Sequence, residues 1–107
     1  MPVDKISSLI GFAVRSGKIT LGYDRIIESK QRKYLIIFVD EINVTAKKRL
    51  IKYAQENKIA LLCTKIDLAQ ICGFNKCKAI AIIDKQMSQA ALQNINDNFQ
   101  LLFSEEK

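Results

Sequence analysis

The chain has 107 residues, room for one domain with a sizeable core and no need of disulfides or metals as staples. It carries 17 Lys+Arg against 11 Asp+Glu, for a net charge of +6, and no histidine, which removes the usual general base near neutral pH. No apolar run approaches the roughly 18 residues that span a bilayer, and the N-terminus lacks the charged-then-apolar pattern of an export signal. The expectation is a cytoplasmic protein with no membrane partner.

The first predicted element is a helix over 4–15, with Ile6, Leu9, Ile10, Ala13 and Val14 on one face. Ser16-Gly17 ends it, glycine suiting a left-handed cap. Ile19-Thr20-Leu21 reads as a short strand. Gly22 breaks it and leads to a second helix over about 23–32, with Ile26 and Ile27 facing inward. Tyr34 to Val39 is a continuous apolar run of the length of a buried central strand. Asn43 and Thr45 are both suitable N-caps for a third helix over about 44–57, which turns Leu50, Ile51 and Ala54 inward. Ile59 to Cys63 is another buried strand, 65–72 a short helix closed by Gly73, and Ala79 to Ile83 a fourth strand. A last helix over about 86–97 carries Met87, Ala90, Ala91 and Ile95, and its apolar face is read as continuing through Phe99, Leu101, Leu102 and Phe103. Ser104 to Lys107 is a polar tail expected to fray.

The order is thus α-β-α-β-α-β-α-β-α. It predicts a single α/β domain over 1–107, a three-layer α/β/α sandwich around a four-stranded mixed sheet.

Few residues offer chemistry. Cys63, Cys72 and Cys77 are odd in number and form no C-x-x-C pair, so no metal site and no cofactor are expected. Gly17 and Gly22 flank a strand and match neither a P-loop nor a dinucleotide fingerprint. Asp40 and Asp84 each end a strand, where capping the next helix or turn is the commoner role and catalysis the rarer one. Without histidine no Ser/His/Asp or Cys/His arrangement forms. Neither an enzyme nor a small-molecule substrate is expected.

The charge is more informative. Residues 1–58 hold 12 Lys+Arg and 6 Asp+Glu, whereas residues 59–107 hold 5 of each, so the whole positive excess lies in the first half. Such asymmetry points to a polyanionic partner. Lys30, Arg32 and Lys33 have a ready explanation as complements to a helix C-terminus. Lys47 and Lys48 lie near a helix N-terminus, where cations are disfavoured, so a ligand role competes there with a merely solvated face. At the start of helix two, Gly22 permits close backbone approach. Asp24 either accepts hydrogen bonds from a base or stabilises the helix start, and Tyr23 either stacks on a base or is ordinarily buried.

These residues are similar to a known family. Ser16-Gly17-Lys18 followed by Gly22-Tyr23 resembles the S-G-K-x-x-x-G-Y stretch of ribosomal protein L-thirty-e. Leu9 to Lys18 resembles the L-x-G-L-A-x-R-A-G-K signature of its bacterial YlxQ-like relatives. Val39-Asp40 with Asn43 to Lys48, Leu68 to Gly73, and Ala79 to Asp84 fit the same pattern in the same order. The resemblance covers about residues 4–95 and is to the kink-turn RNA binders related to ribosomal proteins L-seven-Ae and L-thirty-e. It implies that RNA lies against Gly22, Tyr23, Asp24 and Arg25 and against the loop 73–78, where Phe74 covers an extruded base. Lys18, Lys47 and Lys48 would hold phosphates.

The reading is a monomeric, non-enzymatic protein, ribosomal or ribosome-associated, that binds structured RNA. The alternative is a protein-interaction module of the same fold that has lost the RNA site, a reading that Arg25 and Glu28 favour.

Overall fold

The computed structural model describes residues 5–73 and 77–103. Alternation continues one element beyond the expectation: α1 (Lys5–Ser16), β1 (Ile19–Leu21), α2 (Tyr23–Glu28), β2 (Leu35–Val39), α3 (Val44–Asn57), β3 (Ala60–Thr64), α4 (Leu68–Cys72), β4 (Ala79–Ile82), α5 (Lys85–Gln93) and β5 (Phe99–Phe103). The strands form one mixed sheet in the order β1-β4-β2-β3-β5, in which only β2 and β3 run parallel.

The fully buried strands β2, β3 and β4 divide their side chains between two cores. On one face Leu35, Ile37, Leu62, Ile80 and Ile82 meet Ile6 and Ile10 of α1, Leu68 and Cys72 of α4, and Ala91 of α5. On the other, Ile36, Phe38, Leu61 and Ala81 meet Ile26 of α2 and Leu50 and Ala54 of α3. Burial on both faces explains why these strands read as unbroken apolar runs rather than alternating ones. Among the described residues no helix is long and apolar enough to cross a membrane.

The ends of the elements follow local chemistry. At Gly17 (φ 72°) α1 closes with paired backbone bonds from Gly17 N to Val14 O and from Lys18 N to Ala13 O, the glycine cap expected from sequence. Asn43, rather than Thr45, caps α3: its side chain accepts from Thr45 N at 2.8 Å and Ala46 N at 3.4 Å. Asp67 and Asp84 cap α4 and α5 in the same way.

Three expectations are corrected. The sheet has five strands, not four, because Phe99–Phe103 does not prolong the last helix. Asn94 ends α5, its Nδ2 donating to Ala90 O, and the chain turns through an Asx turn at Asn96, whose Oδ1 accepts from Asn98 N. β5 then pairs antiparallel with β3, with a register shift at Leu61/Leu62. That bulge changes the side-chain parity of the strand, so Phe99 joins one core and Phe103 the other. Second, α2 stops at Glu28 rather than near residue 32. The carbonyls of Ser29 and Gln31 turn to the Lys33 ammonium, at 2.7 and 2.8 Å, and are lost to the helix. Lys30, Arg32 and Lys33 therefore lie beyond the helix instead of complementing its end. Third, α4 starts at Leu68, because Ile66 N donates to Thr64 Oγ1 in a turn before the Asp67 cap. The tail 104–107 lies outside the described residues.

Candidate nucleic-acid interface

β1 and β4 pair through Leu21 and Ile80, and Gly22 N then donates to Ala79 O at 2.9 Å. The start of α2 is thereby joined to the segment that leads into β4. Val39 N donates to Lys78 O at 2.9 Å, which draws the end of β2 to the same place. Asn43 caps α3 just beyond, so Gly22, Tyr23, Asp24, Arg25, Lys47 and Lys48 share one end of the sheet, and both helices cover the same face of it.

Gly22 has φ 95° and ψ 141°, a backbone conformation that side-chain-bearing residues rarely adopt. An added Cβ would meet nothing within 4 Å, so backbone conformation, not space, is what calls for glycine. Tyr23 is half-buried and packs against the α2/α3 core, while Asp24 and Arg25 are exposed. Lys48 is exposed and Lys47 half-buried, close enough to Cys63 to act on its thiol. Burial pushes that thiol up, and the nearby Asp40 carboxylate adds to the rise.

Lys18 lies elsewhere. Ile83 N donates to its carbonyl, which puts it at the opposite end of β1 from Gly22, about 13 Å along the strand. Phe74 lies outside the described residues.

Gly73 closes α4 at φ 78°, and Cys72 and Cys77 are both buried in the α1/α4 core. The Cys72 thiol beside it draws Cys77 down, and the same interaction, reinforced by burial, pushes Cys72 up. Cys77 Sγ also lies 3.7 Å from Ala79 O. Beside this segment a groove of about 730 Å³ is lined by Val39, Glu41, Lys65, Asp67, Ala69, Cys77 and Lys78. Lys65 and Lys78, both exposed, are two cations at this end that sequence reasoning did not single out, although Lys78 belongs to the loop it named.

Asp40 and Asp84 part company. Asp84 Oδ1 accepts from Met87 N at 2.9 Å as the cap of α5, and Asp40 Oδ1 lies 3.7 Å from Cys63 Sγ beside a small cavity of about 180 Å³. Among the described residues no group of three or more His, Cys, Asp or Glu side chains is placed to hold a metal ion.

No family model matches the chain. Large ribosomal subunit protein eL30 of Tetrahymena thermophila is 30% identical to it over 87 residues, covering 76% of this chain and 84% of that protein. Among solved structures, a protein of unknown function from Bacillus halodurans C matches with a TM-score of 0.76 at 20% identity, over 85% of this chain and 96% of that one, which is a likeness of fold.

Proposed function

The chain belongs to the family of ribosomal protein eL30, and on that basis we propose that it is an RNA-binding protein of ribosomal type that recognises a kinked RNA. The carrying observation is the bond from Gly22 N to Ala79 O, because it sets the start of α2 beside the residue that follows the 73–78 loop, the other segment that the family resemblance assigns to RNA. In this reading the first turn of α2 enters the RNA groove and Arg25 takes a phosphate or a guanine edge. Lys47, Lys48 and Lys78 hold flanking phosphates. Phe74 covers an extruded base, and Lys18 reaches a phosphate further along the RNA. The protein acts in the cytoplasm as a monomer, without turnover, and falls in the bacterial YlxQ-like branch. Glu28 lies away from this site, closing α2 at the end opposite Gly22.

The test is binding to a kink-turn RNA and to a plain duplex of equal length, at two salt concentrations. Tighter binding to the kink-turn at both supports the reading. Equal binding to the two RNAs removes kink-turn recognition, and no binding to either removes the RNA function.

A further inference from the structure

At the end of the sheet away from Gly22, the 29–34 segment and the C-terminus of α3 enclose an open groove of about 870 Å³. Four cations line it, Lys30, Arg32, Lys33 and Lys58, against one carboxylate, Glu28. Among the described residues no carboxylate lies within ion-pair distance of Lys30, Arg32 or Lys58.

Lys33 is the unusual member. It is only 4% exposed, yet its ammonium is held by neutral acceptors: Ser29 O, Gln31 O and the Tyr53 hydroxyl at 3.0 Å. Its three N–H groups are thus satisfied while its charge is not neutralised. A buried positive charge without a counter-ion projects its field into the adjoining groove, where low-dielectric walls focus it. Arg32 sits over the Tyr34 ring at 5.0 Å, which fixes a second cation at the rim. Lys58 caps α3 in the left-handed conformation (φ 56°), which glycine would hold without strain.

We infer that this groove is a second RNA contact, taking the phosphodiester backbone of a segment distinct from the one at Gly22. Tyr34 to Asp40 spans the sheet, so the two sites lie about 20 Å apart on opposite ends of one rigid body. The chain then clamps two stretches of a folded RNA instead of gripping one kink. Its cations take phosphates, so its contribution is sequence-independent and salt-dependent. The inference rests on the RNA-binding reading above but concerns different residues.

Amide shifts of the labelled full chain test it, with a kink-turn RNA in short form and with one arm lengthened by a helical turn. The long form is expected to shift Lys30 to Tyr34 and Lys58 in addition to Gly22 to Arg25. Lys30→Ala with Arg32→Ala and Lys58→Gly should weaken the long form about tenfold and leave the short form unchanged. Lys58→Gly alone relieves backbone strain, so weaker binding in that variant is not a folding defect. Shifts confined to Gly22–Arg25 and α3 overturn the inference and leave the proposed function standing. Shifts confined to the 29–34 groove overturn both the Gly22 site and the two-site clamp. No shift anywhere removes both. Inorganic phosphate shifting the groove at the concentration at which RNA does so would mean a free-anion site, and would also overturn it.

Discussion

Thr64 Oγ1 donates to Asn98 O at 2.6 Å and accepts from Ile66 N at 3.0 Å, so one hydroxyl, on a residue 2% exposed, ties β3 to the entry of β5 and to the turn before α4. Both connections run to elements whose limits local sequence patterns misplace.

Thr64→Val keeps the shape and removes both bonds, leaving Ile66 N without that buried acceptor. It should cost about 1–3 kcal/mol in denaturant unfolding. Thr64→Ser should recover most of the loss. A valine variant as stable as the parent would show that the hydroxyl is dispensable.

Asp84→Ala removes the side-chain acceptor for Met87 N at the start of α5. The expected loss is about 1 kcal/mol, with Asp84→Asn close to the parent. RNA binding should be untouched by either. A cap role fails if urea midpoints do not separate alanine from asparagine.

Lys58 and Gly22 predict opposite signs for glycine exchanges. Lys58→Gly should stabilise by roughly 1 kcal/mol, because glycine holds φ 56° freely. Gly22→Ala should destabilise by about 1–3 kcal/mol through strain at φ 95°. Gly22→Val carries the same strain, so weaker RNA binding in that variant would not by itself report a backbone contact. Thermal unfolding of the three proteins checks both signs.

Lys47→Ala with Lys48→Ala should weaken binding to every RNA and lower the slope of log affinity against log salt by about one for each phosphate no longer held. Arg25→Ala should instead act more on the kink-turn than on a plain duplex. An unchanged salt slope in the double lysine variant would place the phosphates elsewhere.

Lys33→Met should cost about 1–3 kcal/mol, since Tyr53 and the 29–33 turn lose their shared donor. A variant of parental stability would mean that the turn is held by its own backbone, as Ser29 Oγ accepting from Gln31 N could do.

Elements whose causes are local are legible in the order of residues alone. The unbroken apolar runs 34–39 and 59–63 have the length and composition of strands buried on both faces, Gly17 and Gly73 stop their helices by adopting φ > 0, and Asn43 and Asp84 cap theirs within a few residues. The glycine turn at Gly22 is legible for the same reason, since a strand-breaking glycine before a helix is a local signal. Where partners are distant in the chain, the folded arrangement makes the choice. Phe99–Phe103 has the composition of a helix continuation and becomes a strand because the edge of β3 offers unpaired backbone groups and Thr64 receives Asn98. Lys33 ends α2 because Tyr53, twenty residues on, completes a cage for its ammonium. The assembly of Gly22 with Ala79, and the separation of Lys18 from both, follow from β1 pairing with β4 rather than with its neighbour in sequence. Sheet order is settled by which apolar faces fit together across the whole chain, and no local window contains that choice.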